Sequence, residues 1–217
     1  MRTLIVRPLA VALSFGFSLA ALAACVGGDP PATAPAPSVT GDAGDAGDGV
    51  TCEAYCAAVN KNCTGPNRQY RSDEECRRLC AFLSPGTAAD RAQNTVGCRL
   101  ANAKLGQSKE VCAAAGAWGG DVCGRRCETF CAINEASCGT LGGGAPYEKG
   151  DCLEKACPVL RFDPAVGDGP DQSFDGDDTL NCRAFHLVLA TDNALATHCP
   201  HTALVSPTCQ PRDAGGD

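Results

Sequence analysis

Seventeen cysteines in 217 residues constrain this chain more than any other feature. A reducing compartment would leave that many thiols free, so the count points to an oxidising compartment and a disulfide scaffold. A zinc–thiolate protein would show CxxC knuckles, and no two cysteines here are separated by two residues. Aromatic residues make up only 5%. The core must therefore be built from small apolar side chains that each bury little area, and cross-links take over part of their role.

The N-terminus accounts for one cysteine. Met1 to Arg7 is a short basic segment, and Pro8 to Ala24 is uncharged and rich in Leu, Val, Phe and Ala. That length suits the apolar region of a signal peptide and is short for a spanning helix. The stretch ends in Leu22-Ala23-Ala24-Cys25, the form of a bacterial lipobox, so residues 1–24 are expected to be cleaved and Cys25 to be acylated. Several acyl chains on one residue anchor a protein stably in a lipid membrane. Val26 follows Cys25 in place of Asp, which by analogy with enteric bacteria favours the outer membrane over the inner one. With Cys25 removed from the seventeen, sixteen cysteines remain, an even number in which every one can pair. Residues 25–51 form a Pro/Ala/Gly/Asp linker with almost nothing to bury, expected to be disordered and to reach about 25–30 Å. Residues 210–217 read as a similar tail.

Aligning the cysteines between linker and tail exposes an internal repeat. One copy uses Cys52, Cys56, Cys63, Cys76, Cys80, Cys98, Cys112 and Cys123. The other uses Cys127, Cys131, Cys138, Cys152, Cys157, Cys182, Cys199 and Cys209. Both open C-x3-C-x6-C, both carry a tyrosine in the next loop (Tyr70, Tyr147), and both have Cys-Arg later on (Cys98-Arg99, Cys182-Arg183). The reading is two homologous modules in tandem, 52–123 and 127–209, joined by Gly124-Arg125-Arg126.

No stretch shows β-branched alternation, so the expected class is all-α. Cys52, Cys56, Val59 and Cys63 share one helix face. Ser72-Asp73-Glu74-Glu75 has the capping-box form and opens a second helix with Cys76 and Cys80. Thr87-Ala88-Ala89-Asp90 has a similar form and predicts a third helix running through Cys98 to Lys104, stopped by Gly106. Ser108 caps a fourth through Cys112. In the second module Asp177 or Asp178 is the expected cap of the helix carrying Cys182 and His186, and Pro158 the end of the one carrying Cys157. Antiparallel packing of the first two helices would pair Cys52 with Cys80 and Cys56 with Cys76. The remaining cysteines are then expected to pair as Cys63–Cys98 and Cys112–Cys123.

The full pattern resembles the Cys-rich repeat lipoproteins of myxobacteria. It covers about 52–209 and fits best in the second module: Cys127, Cys131, Cys138, Tyr147, Cys152, Cys157, Thr179-Leu180-Asn181-Cys182-Arg183-Ala184-Phe185-His186, and His198-Cys199-Pro200-His201. The resemblance implies an envelope location and brings no activity with it. The first module departs from it, with Asn102, Val111 and Ala114 at the three histidine positions.

Those histidines, His186, His198 and His201, are the only ones in the chain. Neutral imidazole suits copper, zinc or haem iron, so the three form a candidate transition-metal or haem site, weighed against polar caps and interhelical hydrogen bonds. The absence of CxxCH excludes covalent c-type haem. Six Asp lie between Asp163 and Asp178, but without the calcium-loop spacing they read as a solvated loop. No catalytic residues are assigned: GxSxG, HExxH and GxxxxGK[ST] are absent. Cys-Arg-Ala-Phe-His differs from the helix of secreted phospholipases, having Arg183 for the second Cys and Leu187 for Asp. The net charge of −7 becomes −9 once Arg2 and Arg7 are cleaved away, which argues against nucleic acid as a partner. The expectation is a non-catalytic binding or structural module of the envelope facing an envelope or extracellular protein, with metal or haem binding as the alternative.

Overall fold

The structure, a computed structural model, describes residues 49–140, 144–164, 166–167, 169 and 177–211. The signal segment, Cys25, the linker through residue 48, most of the acidic loop and the tail from residue 212 lie outside the described residues. By contacts the chain divides into Met1–Val39, which also lies outside them, and Thr40–Asp217, which holds both cysteine modules. Among the described residues the chain is helical, with two isolated β-bridges and no strand.

Helix α1 (Cys52–Asn62) starts where the Ala54 amide donates to Thr51 Oγ1 at 3.1 Å. Val50, just before that cap, is already buried. Part of the segment expected to be linker is therefore packed into the fold, because an apolar residue at this position can staple to the helix's fourth residue, the buried Tyr55. Helix α2 (Asp73–Cys80) is capped by Ser72, whose Oγ accepts the Glu75 amide. Glu75 reaches back one residue further than a capping box requires, accepting the Arg71 amide and pairing with its guanidinium at 2.6 Å. The two helices are cross-linked antiparallel by Cys52–Cys80 and Cys56–Cys76, as their spacing predicts.

Helix α3 (Val96–Ala103) is shorter than expected. Asp90 does not open it; its carboxylate clamps the Thr87 amide and hydroxyl and the Thr95 hydroxyl, closing a turn. Thr95 becomes the cap, accepting the Cys98 amide. Gly97 is packed so tightly that an added Cβ would lie 1.9 Å from the Thr87 carbonyl oxygen, which places a residue with no side chain there. Helix α4 (Lys109–Ala115) is capped by Ser108 as expected.

The last two bridges of the first module differ from expectation: they are Cys63–Cys112 and Cys98–Cys123, in place of Cys63–Cys98 and Cys112–Cys123. The reason lies beyond α4. Gly119, Gly120 and Asp121 all have positive φ (71°, 56° and 62°), and this reversal carries Cys123 back onto α3, leaving Cys112 to the end of α1.

The second module repeats the scheme with α5 (Arg126–Asn134), α6 (Leu180–Thr191) and α7 (Leu195–His198). Wide π-turns cover Glu135–Thr140 and Cys152–Ala156, and 3-10 turns cover Cys157–Val159 and Cys199–Thr202. Pro158 lies inside the first of those 3-10 turns and does not terminate an α-helix. Thr179, and neither Asp177 nor Asp178, caps α6 by accepting the Cys182 amide. Asp178 pairs with Arg183 at 2.7 Å. The bridges are Cys127–Cys157, Cys131–Cys152, Cys138–Cys199 and Cys182–Cys209. Counted within each module, both connect first to fifth, second to fourth, third to seventh and sixth to eighth cysteine.

A single apolar cluster runs through both modules, from Val50 and Tyr55 through Trp118 and Phe130 to Leu187 and Ala190. Polar ties join the modules as well: Arg78 pairs with Asp192 at 3.1 Å, and Arg99 donates to Thr129 at 3.2 Å.

Candidate metal centre

The three histidines come from three elements that the disulfides hold together. His186 stands one turn beyond Cys182 on α6, whose start is tied to Cys209. His198 ends α7, and His201 lies in the following 3-10 turn. Between them Cys199 is bridged to Cys138, in the π-turn that follows α5. The turn is pinned at its carbonyls and hydroxyls. Ser206 donates to the His201 carbonyl at 2.8 Å, Thr202 Oγ1 donates to the Cys199 carbonyl at 2.7 Å, and Asn134 donates to Thr202 Oγ1 at 2.7 Å. Tyr147 donates to the Thr202 carbonyl. Burial pushes its phenol up to about 12, against the opposing pull of the Arg183 charge, so the donor stays protonated.

The rings converge on one point. His186 Nδ1 lies 3.1 Å from His198 Nδ1 and 3.3 Å from His201 Nδ1. A ligand atom from each ring lies within 4.8 Å of the other two. His186 is buried, and His198 and His201 are half-exposed. Ring packing is stacked between His186 and His198 and edge-on for the other two pairs. Nitrogens held about 2.0–2.1 Å from a tetrahedral ion stand roughly 3.3–3.4 Å apart, close to the spacing found. A ring Nδ1 carries one in-plane position, either a proton or a lone pair. A single hydrogen bond therefore accounts for one of the two close approaches to His186 Nδ1, and a shared cation accounts for both.

A second group of possible ligands, Cys182, His186 and Cys209, lies equally close together. Its two sulfurs are joined to each other and offer no thiolate. The sixteen described cysteines are all paired, and Met1 is the sole methionine. No carboxylate belongs to the histidine cluster among the described residues. Among the described residues the donors are imidazole nitrogens, which suit copper(II) or zinc better than a soft copper(I) site.

In the first module the same three places hold Asn102, Val111 and Ala114. Asn102 donates to the Cys98 carbonyl at 3.0 Å and approaches the Cys123 sulfur at 3.2 Å. Its amide satisfies a bridge where His186 meets two other rings.

The fold also contains two buried arginines whose role was not read from the sequence, although both follow the repeat's sixth cysteine. Arg183 donates to the carbonyls of Thr179, Ala203 and Leu204 and pairs with Asp178. Arg99 donates to the carbonyls of Thr95, Gly116 and Ala117 and to Asn94 and Thr129. Each guanidinium collects the backbone acceptors of the segment leading to the module's last cysteine. The repeated Cys-Arg pair was the available signal.

Fold and site together define a class: an all-α protein of two disulfide-stapled modules, with a three-imidazole cluster in the second. Residues 39–126, which take in the whole first module and less than half of the chain, are similar to the BfoA family C-terminal domain. No curated protein and no solved structure matches the chain.

Proposed function

We propose that this chain is an exported lipoprotein, acylated on Cys25, whose second module holds one zinc or copper(II) ion on His186, His198 and His201 in a non-catalytic role. The observation that carries the reading is the meeting of three imidazole nitrogens at 3.1 and 3.3 Å around His186. Haem fits less well. It takes one or two axial imidazoles, and three nitrogens this close together leave no plane for the macrocycle. The Leu22–Cys25 lipobox, the disulfides and the resemblance to myxobacterial Cys-rich lipoproteins support an envelope location, with Val26 favouring the outer membrane. The acyl group makes the lipid membrane one partner, and the acidic surface argues against nucleic acid. The first module supplies the structural half of the core, and an envelope or extracellular protein is the partner it would meet.

The test is metal uptake by the exported chain carrying Cys25→Ser, beside a His186→Ala/His198→Ala/His201→Ala variant. About one copper or zinc per chain, lost in the variant while its helical circular dichroism persists, is the expected result. No uptake of either metal, or haem on titration, sinks the metal reading and leaves a purely structural or interaction module. Fractionation tests the anchor separately: wild type should partition with membranes, and the Cys25→Ser chain with the soluble fraction.

A further inference from the structure

We propose that a groove in the second module binds a linear aliphatic diamine, one ammonium on Glu135 and one on Glu148, independently of the histidine site. The groove has a volume of about 430 Å³, within the roughly 300–1,000 Å³ of small-molecule sites. It opens between α5 with its following π-turn and the loop from Ala145 to Leu153. Its wall is apolar: Ala132, Ala145, Pro146, Leu153 and the Cys131–Cys152 bridge line it. Leu153 leaves 44% of its surface in water. The first module bridges the equivalent place. Asn60, the eighth residue after that module's first cysteine, donates to Asp73 at the start of α2 at 3.4 Å. Glu135 stands at that position in the second module, and a carboxylate there cannot donate across to Glu148 on the facing loop.

Charge and hydrogen bonding select the ligand. Glu128, Glu135 and Glu148 border the groove against one cation, Lys149. Glu128 accepts the Arg125 amide at 3.0 Å and is committed to capping α5. The Glu135 and Glu148 carboxylates are exposed and have no ion pair or hydrogen bond among the described residues. The neutral donors beside them are already used: Thr140 bonds the Glu135 carbonyl at 3.2 Å, and Asn134 and Tyr147 both turn to Thr202. The groove therefore offers two free negative charges on two sides of an apolar wall. A methylene chain with an ammonium at each end matches both features. Its stem covers the wall as a lysine stem covers apolar surface, and its ends pair with the two carboxylates. An anionic ligand meets like charge, and an uncharged one makes no use of the carboxylates.

Cadaverine is the probe, titrated calorimetrically into the exported Cys25→Ser chain at low ionic strength, where exposed charges are least screened. One site per chain is the expected result. Glu135→Gln/Glu148→Gln should weaken binding about tenfold, through the loss of two exposed charge pairs. Ala132→Phe, which fills the groove at constant charge, should weaken it too. All three positions are exposed, so the fold should persist, and circular dichroism checks that it does. Glu53→Gln/Glu74→Gln in the first module makes the same change of charge and should leave binding unaltered. Absence of binding overturns the inference. An equal loss in the two double variants, or none in Ala132→Phe, overturns it as well, because cadaverine would then sense only the acidic surface. So does an affinity for pentylamine, which carries one ammonium on the stem of a lysine, equal to that for cadaverine. Complete displacement by magnesium at matched ionic strength has the same consequence. None of these outcomes touches the metal reading.

Discussion

The two modules share a cross-linking scheme and differ in what they do with equivalent positions. At the fourth residue after the sixth cysteine, Asn102 bonds backward to its own bridge and His186 points to two other rings. Before that cysteine, Gly97 packs against the Thr87 carbonyl, while Asn181 uses its side chain to hold the Asp163 and Gly167 backbone. The third residue after the seventh cysteine shows the same divergence. The Ala115 carbonyl is bonded by Tyr55, which also bonds Tyr70 at 2.5 Å. In the second module Phe130 stands in place of Tyr55, and Tyr147 bonds the Thr202 carbonyl directly. A scaffold fixed by four bridges thus tolerates changes in its polar interior, and one set of changes gathers the imidazoles.

The buried arginines offer the strongest way to break the comparison. Arg99→Met and Arg183→Met each leave several buried carbonyls without donors, and each should cost about 3–5 kcal/mol. Guanidinium melts of the oxidised protein measure this. Arg99 has no carboxylate among its described partners and Arg183 has the exposed Asp178. Equal losses would show that the carbonyls dominate. A negligible loss in either variant would refute the role given to these side chains.

Equivalent bridges separate stability from the site. Replacing Cys63–Cys112 or Cys138–Cys199 by paired alanines should each cost about 2–4 kcal/mol. Only the second should weaken copper binding, by tenfold or more, because Cys199 lies between His198 and His201. Equal copper affinity in both variants would mean that the rings are positioned without that bridge.

The smallest expected effect is alkaline destabilisation. Burial pushes the Tyr55 phenol up to about 12, opposed by the Arg99 charge and the bond to Tyr70, and Tyr147 likewise reaches about 12. A folded-state value above the ordinary one of about 10 means that the fold favours the neutral phenol. That stability is complete below pH 10 and is lost as the pH rises from 10 to 12. At about 1.4 kcal/mol per pH unit, the loss for Tyr55 is about 2–3 kcal/mol, and less for the partly exposed Tyr147. Denaturant midpoints of the Cys25→Ser chain at pH 9.5 and 11.5 should show the decline. Tyr55→Phe should reduce it more than Tyr147→Phe.

Much of this architecture was legible from residue order alone. The all-α class, the repeat, the first two bridges and the Ser72 and Ser108 caps all follow from local spacing, because helix geometry relates residues three and four apart without reference to the rest of the chain. The three histidines were also visible as candidate ligands from their rarity, their place in the last third of the chain and the three-residue spacing of His198 and His201. The Thr87–Asp90 motif shows where such reading fails. The same hydrogen-bonding groups can cap a helix or close a turn, and here the Thr95 hydroxyl took the carboxylate.

Only the tertiary structure decided which of the later cysteines meet, since that depends on the chain reversal at Gly119–Asp121. Only it brought the His186, His198 and His201 nitrogens to one point and buried a guanidinium in each module. The physical reason is the same in each case. These contacts join segments ten or more residues apart, and their geometry is set by backbone reversals and by the packing of one helix on another, neither of which leaves a local periodic signal.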